Sequence, residues 1–262
     1  KVRKYVDLVL SGLPFETEWY AQRGILVLYV GHPFFDEAVK HPLDAAFVRE
    51  WMPSRGNTVA LLPGSRKHEV EMNWPLILEA ARRVQARHPA TQFLVACYKE
   101  SQRDWCMEHY RQRGMELPIS FFVGKTAEII EMSDCAMMVS GSVSLEMLAR
   151  GTPATVIYSS GWLTYLLGKL LIQVKLFSLP NLIAQRMVIP EHFRVGDPEP
   201  AIQALTADVD RWLSDPRTLE AVRNDLAEIR AEIGTIGATQ RVAELLEHRL
   251  YGEETIVERR AA

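Results

Sequence analysis

The stretch "ALLPGSRKHEVE", residues 60–71, joins an apolar run to a charged, helix-like run through one short turn. A sharp exit from a buried strand requires Gly64, because glycine adopts backbone angles that other residues avoid. The exit does not require Arg66, and a single arginine after a turn is most often simply exposed. An arginine also presents a planar fork of donors that grips phosphate oxygens two at a time. The stretch predicts a strand, a turn suited to an anion, and a helix.

Apolar strands and amphipathic helices alternate along most of the chain. Before the opening stretch, two short strands flank a helix within residues 6–31, and a Pro-rich linker is predicted at 33–55. After it, a helix over 70–88 has apolar residues at the spacing of one buried face. Four further strands, separated by helices, are predicted at 92–98, 119–124, 134–141 and 154–159.

The pattern of these strands predicts a parallel sheet. Strands that are buried on both faces read as continuous apolar runs, and strands that are joined through helices pair in parallel. We therefore predict an α/β fold, with a Rossmann-like parallel sheet and helices on both of its faces. From residue 200 onward the pattern changes to helices alone, so a C-terminal helical segment is expected.

Composition argues against several classes of function. The chain has 30 lysines and arginines, 33 acids and a net charge of −3, so it lacks the positive field that nucleic acids require. The three cysteines, Cys97, Cys106 and Cys135, are widely spaced, which indicates reduced core residues in a cytosolic compartment. We expect neither disulfides nor a metal site. The chain begins at Lys1 and enters a strand almost at once, so we expect it to be part of something longer.

A second turn, "VSGSVSLE" at residues 139–146, also follows a predicted strand. The strand breaks at Ser140 and Gly141, after which a helix is expected to start. The first amides of such a helix lack partners within it and suit a phosphate anion. These are the amides of Ser142, Val143 and Ser144. Open parallel sheets bind ligands beyond the carboxyl ends of their strands, which is where both turns are predicted to lie.

Glu146 lies one turn into the second predicted helix and allows two interpretations. A carboxylate repels a phosphate, but it accepts hydrogen bonds from the vicinal hydroxyls of a ribose that is attached to that phosphate. Alternatively, it only complements the helix dipole, an effect of about 0.3–1 kcal/mol. The residues alone support both interpretations equally.

The two turns together favour a diphosphate ligand. Gly64 permits the sharp exit, Ser65 offers a hydroxyl and an amide, and Arg66 supplies positive charge. Glu69 and Glu71 are placed to pair with Arg66 or Lys67 and to hold the loop. A diphosphate between a cationic turn and a helix N-terminus would explain both turns at once.

Asn181, in the segment "FSLPNLIAQRMVIPE" at residues 177–191, is a third candidate. Pro180 favours an extended or turned backbone at the residue before it, so Asn181 is expected in a non-helical segment. Its amide offers both a donor and an acceptor, which suits a uracil edge, a sugar hydroxyl or a pyrophosphate oxygen. A residue of an Asx turn is the alternative.

Taken in order, these segments resemble the lipid-A-disaccharide synthase family, whose members join two acylated glucosamines in bacterial lipid A biosynthesis. Each motif is weak alone, but their order and spacing match the family over about residues 1–195. The motifs are Leu13–Glu16, Val30–Pro33, Leu61–Arg66 followed by Glu69-Val70, Ser140–Ser142 followed by Leu145-Glu146, and Ser178–Asn181. Ser142 stands where the family usually has threonine, and Val143 replaces a smaller residue.

The resemblance implies the C-terminal half of a GT-B fold, in which two Rossmann-like domains face each other. Residues 1–35 are then the remnant of an N-terminal acceptor domain, 36–199 the UDP-sugar-binding domain and 200–262 the C-terminal helices. The implied activity is that of a hexosyltransferase. It transfers 2,3-diacylglucosamine from UDP-2,3-diacylglucosamine to 2,3-diacylglucosamine 1-phosphate (lipid X), and it needs no metal or other cofactor.

The resemblance also implies roles for the candidate residues. The nucleotide-binding set is Gly64, Ser65, Arg66, Ser140, Gly141, Ser142, Val143, Glu146 and Asn181. His32 and Glu69 are expected near the cleft. The catalytic carboxylate of the family belongs to the N-terminal domain, and no acid of this chain matches it. We therefore expect this chain by itself to bind UDP without transferring sugar.

The acylated substrates of the family imply a cytoplasmic protein in peripheral contact with the inner face of the cytoplasmic membrane, and a homodimer is a further expectation. The leucine-rich segment 161–175 suits either an interfacial helix or a helix packed on the sheet, and packing on the sheet is favoured.

Rival functions keep the nucleotide site and change the chemistry. UDP-N-acetylglucosamine 2-epimerases and the lipid II glycosyltransferase share the two-domain architecture. The lipid II enzyme predicts more glycine than "PGSR" provides, and the epimerases predict a different arrangement of arginine and histidine. A non-catalytic nucleotide-binding module, with the C-terminal helices as a dimer surface, is the remaining alternative.

Overall fold

The computed structural model describes residues 1–53, 55–161, 176–233 and 236–260. Packing divides the chain into two compact units, one of Lys1–His41 with Ile229–Ala262 and one of Pro42–Glu228. Residues 162–175, most of the leucine-rich segment, lie outside the described residues. The domain boundaries at residues 35 and 199 stay predictions.

The first unit is built around two short parallel strands, which pair from Val9–Val27 to Ser11–Tyr29. In chain order its first elements are α1 (Val2–Tyr5), β1 (Val9–Ser11), α2 (Pro14–Ala21), β2 (Val27–Tyr29) and α3 (Pro33–Lys40). Its last helix is α12 (Ala238–Arg260). The carboxylate of Asp36 on α3 accepts hydrogen bonds from the amides of Gly237 and Thr239, and so caps the start of α12.

The second unit contains a six-stranded sheet and the helices that cover it. Its first seven elements are α4 (Ala45–Trp51), β3 (Thr58–Leu62), α5 (Lys67–Arg87), β4 (Gln92–Cys97), α6 (Glu100–Gln112), β5 (Ile119–Val123) and α7 (Thr126–Met132). The seven that follow are β6 (Cys135–Val139), α8 (Val143–Arg150), β7 (Ala154–Ser159), α9 (Leu179–Ala184), β8 (Glu191–Arg194), α10 (Glu199–Ser214) and α11 (Pro216–Ile233), whose residues from Ile229 onward belong to the first unit.

The six strands are parallel and follow the order β5-β4-β3-β6-β7-β8. The chain moves outward from β3 through β4 to β5, and then crosses back to β6 and moves outward on the other side. The direction therefore reverses between β3 and β6, where Leu62 lies opposite Met138. The crevice beyond the carboxyl ends of such a strand pair is where open sheets bind ligands.

Helices pack on both faces of this sheet, because alternate residues of each strand point to opposite sides. On one face, Val59, Leu61 and Phe93 form a core with Trp74 of α5 and Trp212 of α10. The opposite face is covered by α7 and α8, whose Ile129, Ile130, Leu145 and Leu148 are buried. The predicted fold class, a Rossmann-like parallel sheet with helices on both faces followed by C-terminal helices, is confirmed.

The Pro-rich stretch 33–55 contains two helices, which its interpretation as a linker did not include, although the chain passes from one compact unit to the other inside it, after His41. Pro33 occupies the first position of α3, where a residue without an amide donor is well tolerated. Asp44 caps α4 through hydrogen bonds from the amides of Ala46 at 3.0 Å and Phe47 at 3.1 Å. Proline was interpreted as a break, although here it marks a helix start.

None of the helices in the described ranges combines the length and the apolar character that crossing a bilayer requires.

Candidate functional site

The two turns singled out in the sequence follow neighbouring strands and lie side by side. β3 ends at Leu62 and β6 at Val139, at the same edge of the sheet. A β-carbon placed on Gly64 would lie 3.6 Å from the β-carbon of Val139. The structure therefore brings the first turn, residues 63–66, and the second turn, residues 140–142, to the switch point of the sheet.

The first turn depends on glycine at its sharpest bend. Gly64 has a φ of +112°, and a β-carbon there would lie 3.1 Å from the β-carbon of Glu69. Residues with side chains rarely adopt this backbone conformation, and the neighbouring Glu69 leaves little room. The sequence-based interpretation of Gly64 agrees with this geometry.

Arg66 is the N-cap residue of α5 and extends its guanidinium into solvent, with a side chain that is 82% exposed. Its Nη1 donates to Oε1 of Glu69 at 2.6 Å, and its backbone amide donates to Oε2 of the same carboxylate at 3.2 Å. Glu69 therefore holds both the backbone and the side chain of Arg66, as expected. The remaining guanidinium donors stay accessible to an anion.

The buried side chain of Gln102 holds the backbone of the first turn by a hydrogen bond, a role that no sequence pattern indicated. Its side chain is 4% exposed, and its Nε2 donates to the carbonyl oxygen of Ser65 at 2.6 Å. Gln102 lies in the first turn of α6, which follows β4 at the same edge of the sheet. The exposed Ser65 is therefore fixed through its backbone, and its hydroxyl takes part in no hydrogen bond within the described ranges.

The second turn presents three backbone donors at the start of α8. Within the part of the chain that the structure describes, the amides of Gly141, Ser142 and Val143 donate to no acceptor. The amide of Ser144, which was expected to be free, donates to the carbonyl oxygen of Gly141 at 3.1 Å, so that prediction is wrong. The tight first turn of the helix consumes this donor. The free donors thus lie one residue earlier than predicted.

The second turn makes few side-chain contacts, and the backbone at its centre is exposed. Ser140 donates through its hydroxyl to the carbonyl oxygen of Phe177 at 3.5 Å. Gly141 and Ser142 are exposed, and a β-carbon on Gly141 would meet nothing within 4 Å. The backbone of Gly141 does not have a positive φ, so conformation does not require a glycine there. What Gly141 provides is close access to the backbone.

Glu146, in the first turn of α8, is held by an arginine that the sequence analysis missed. Nε of Arg150 donates to Oε1 of Glu146 at 3.2 Å, and Nη1 of Arg150 donates to Oε2 of Glu131 at 3.0 Å. The side chains of Glu146 and Arg150 are 14% and 7% exposed. The spacing of four residues between Glu146 and Arg150 was the available signal.

Asn181 is buried inside a helix, so the prediction of a non-helical segment is wrong. It lies in α9, where Pro180 occupies the first turn, and it is 0% exposed. Its Oδ1 accepts from the amides of Val188 and Ile189, and its Nδ2 donates to the carbonyl oxygen of Ile189 and to Glu191. These four hydrogen bonds occupy both donors of the side-chain amide and both acceptor positions of its oxygen. This argues against the predicted contact with a nucleotide.

His32 lies in the first unit, at the start of α3. Its Nδ1 accepts a hydrogen bond from the amide of Phe34 at 3.2 Å, which identifies His32 as a helix cap. Burial lowers its pKa from the ordinary value, and the charge of Glu16 acts in the opposite direction. The placement of His32 near a cleft stays a prediction.

The three cysteines are buried and free of disulfide bonds, as expected from the sequence. Burial raises the pKa of the Cys135 thiol, and a hydrogen bond with Cys97 together with burial raises that of Cys106. Within the described residues, no three or more histidine, cysteine, aspartate or glutamate side chains are arranged to hold a metal ion.

Comparison with protein families gives a match over residues 1–209 to the model of the lipid-A-disaccharide synthetase family. A lipid-A-disaccharide synthase of Anaeromyxobacter dehalogenans is 34% identical over 244 residues, which cover 93% of this chain and 63% of the relative. One of Geobacter metallireducens is 32% identical over 247 residues, 93% of this chain and 62% of the relative. The chain thus spans less than two thirds of the length of these relatives.

Solved structures show the same fold at low identity. A UDP-N-acetylglucosamine 2-epimerase of Neisseria meningitidis bound to UDP-N-acetylglucosamine matches with a TM-score of 0.63 and 11% identity, over 92% of this chain and 61% of the other. WaaG, a glycosyltransferase involved in lipopolysaccharide biosynthesis, matches with a TM-score of 0.54 and 13% identity, over 91% and 61%. At such identity the likeness is one of fold alone.

Proposed function

The chain belongs to the lipid-A-disaccharide synthetase family, and we propose that it carries the UDP-sugar-binding site of a glycosyltransferase in lipid A biosynthesis. In the proposed reaction, a hydroxyl of lipid X attacks the anomeric carbon of UDP-2,3-diacylglucosamine. The bond between that carbon and the diphosphate oxygen breaks, and UDP leaves with its electron pair. A β-1,6 glycosidic bond forms, and the hydroxyl proton passes to a base.

The observation that carries this proposal is the juxtaposition of the two turns at the switch point of the sheet. One turn offers a guanidinium, and the other offers the amides of Gly141, Ser142 and Val143. Both features favour an anion, and a diphosphate is long enough to engage both. A mononucleotide with a diphosphate therefore fits the crevice better than a neutral ligand does.

Each part of the site has a defined role in the proposed reaction. Arg66 and the N-terminal amides of α8 stabilise the negative charge that grows on UDP as it departs, which is preorganised electrostatic catalysis. The hydroxyls of Ser65 and Ser142 are further donors to the diphosphate. Glu146 accepts hydrogen bonds from the ribose hydroxyls. No residue of this chain is proposed as the base.

Asn181 acts outside the nucleotide pocket in this proposal. Its four hydrogen bonds join α9 to residues 188–191, at the start of β8. Its partner Glu191 also accepts a hydrogen bond from the amide of Phe177, and the carbonyl oxygen of Phe177 accepts one from the hydroxyl of Ser140 in the second turn. Asn181 therefore stabilises a segment that contacts the second turn. Peripheral contact with the cytoplasmic face of the membrane remains part of the proposal, because the substrates of the proposed reaction are acylated. The homodimer stays a prediction from the family resemblance.

Two measurements test the proposal. Isothermal titration of this chain with UDP, ADP and GDP is expected to show the tightest binding for UDP. Incubation of the full-length protein with UDP-2,3-diacylglucosamine and lipid X is then expected to yield UDP and the disaccharide. Equal affinity for the three nucleotides, or an epimerised sugar in place of the disaccharide, would contradict it.

A further inference from the structure

Arg150 is a nearly buried cation that bridges two helices. It is the last residue of α8, and its side chain is only 7% exposed. It contacts Glu146 on its own helix at 3.2 Å and Glu131 on α7 at 3.0 Å. Nη2 is also buried and has no hydrogen-bond partner within the described residues. Burial of arginine at this level is rare unless its charge is paired.

A position at the end of a helix explains only part of this arrangement. A cation there interacts favourably with the helix dipole whether or not it is buried. A role limited to the dipole requires neither the contact with Glu146 nor the one with Glu131. The bridge instead holds the Glu146 carboxylate, whose side chain is only 14% exposed, on the side that faces α7.

The contact with Arg150 occupies one oxygen of the Glu146 carboxylate, Oε1. Within the described residues, the hydrogen bond that Glu146 receives at its carboxylate reaches Oε1. Oε2 therefore accepts no competing donor in the same part of the chain. Two neighbouring hydroxyls of a sugar need two acceptor positions, and a carboxylate supplies several lone pairs on its two oxygens.

We propose that Arg150 is a positioning residue of the nucleotide site, which holds the Glu146 carboxylate in the orientation that accepts the vicinal hydroxyls of the ribose. The inference rests on the proposed function, because it assigns Glu146 to the ribose. A side chain that is ordered before binding loses less freedom when the ligand arrives. Removing Arg150 is therefore expected to weaken binding of the ribose about three- to tenfold.

The test compares UDP with 2′,3′-dideoxyuridine diphosphate, which lacks both hydroxyls. Isothermal titration of the unchanged chain is expected to show preference for UDP. In Arg150→Met this preference is expected to fall about three- to tenfold, while affinity for the dideoxy nucleotide stays the same. Arg150→Lys, which retains the charge without the planar fork, is expected to keep an intermediate preference. Arg217→Met removes an arginine that is 91% exposed and serves as the matched control.

Each outcome bears on a separate statement. Equal weakening of both nucleotides by Arg150→Met would mean that the arginine only stabilises the fold, and an unchanged preference would mean that it does not position Glu146. Either result overturns the inference. If circular dichroism shows that Arg150→Met does not fold, Arg150→Lys decides, and an unchanged preference in that variant overturns the inference. Failure of the unchanged chain to bind UDP at all would instead contradict the proposed function.

Discussion

Arg66 carries its charge on a side chain that is largely exposed and yet anchored at two points by Glu69. An exposed ion pair of this kind contributes little to stability, on the order of 0–1 kcal/mol. The contribution to an incoming anion is larger, because hydrogen bonds to charged groups contribute about 1.5–3 kcal/mol. Ligand binding, and not folding, should therefore respond to this residue.

Arg66→Ala is expected to raise the Kd for UDP about tenfold to a hundredfold, since it removes a charged donor from the diphosphate. Binding of uridine, which has no phosphate, is expected to be unchanged. Calorimetric titration of both ligands measures the difference. Arg217→Ala, another exposed arginine paired with a nearby acid, is the control and should affect neither ligand. Equal losses for UDP and uridine would argue against a phosphate contact.

Asn181→Ala is expected to lower the free energy of unfolding by about 3 kcal/mol, because buried partners lose their hydrogen bonds. Urea unfolding followed by circular dichroism measures this change. Gln203→Ala, at an exposed position, should change stability by less than about 0.5 kcal/mol. Full stability in Asn181→Ala together with lost UDP binding would restore the direct ligand role predicted from the sequence.

At the scale of elements, the two turns contain glycine for different reasons. Alanine substitutions at the two positions are therefore expected to have different effects on stability. Gly64→Ala forces a side chain into a left-handed backbone beside Glu69, so a loss of about 1–3 kcal/mol is expected. Gly141→Ala adds a methyl group in open space, and its stability should stay within about 0.5 kcal/mol of the original.

The ligand response of the same pair tests the approach of the phosphate to the backbone. Gly141→Ala is expected to weaken UDP binding despite unchanged stability, because the methyl group occupies space in front of the free amides. Calorimetry with UDP and urea unfolding of both variants give the comparison. Unaltered UDP affinity in Gly141→Ala would place the phosphate away from this turn.

An ion-pair network joins α5 to α10 and gives the fold a defined acid sensitivity. The hydrogen bond from Arg82, assisted by Arg83, lowers the pKa of Glu79 from 4.5 to about 2 despite partial burial. The hydrogen bond from Arg83 lowers the pKa of Glu199 from 4.5 to about 2. A carboxylate whose pKa is lowered on folding stabilises the folded state at pH values above its pKa in the unfolded chain. This contribution is lost as the pH falls through its pKa in the folded state.

Arg83→Met should therefore reduce the loss of stability between pH 4.5 and about 2, since it removes the partner that lowers the pKa of Glu199. Urea unfolding at several pH values from 2 to 7 measures the slope. The exposed Arg249→Met is the control and is expected to keep the slope of the unchanged chain. Identical slopes in Arg83→Met and the unchanged chain would show that this network does not set the acid response.

Sequence periodicity predicted the elements of the sheet well because their signals are local. Strands β3 and β6 are buried along their whole length, so apolar runs identified them. The signals failed where long-range packing decides the outcome. The burial of Asn181 depends on residues 188–191, and the hydrogen bond from Gln102 to Ser65 joins the start of α6 to the turn before α5. Neither contact leaves a periodic pattern in the chain.

At the scale of the whole molecule, the order of the strands brings together two turns that lie far apart in the sequence. The crossover from β5 to β6 places the second turn beside the first, although Val139 follows Arg66 by 73 positions in the chain. Five short motifs in the correct order were enough to identify the family and the class of the fold. The spacing of Glu146 and Arg150 was a visible signal that was overlooked, whereas the contact of Arg150 with Glu131 was not visible in the sequence, because it requires α7 to pack against α8.

A structure of the chain with UDP bound tests the central claim most directly. We predict that the diphosphate lies between the guanidinium of Arg66 and the amides of residues 141–143, with the ribose hydroxyls at the carboxylate of Glu146. Well-defined UDP that is bound elsewhere on the chain, with both turns empty, would contradict the account.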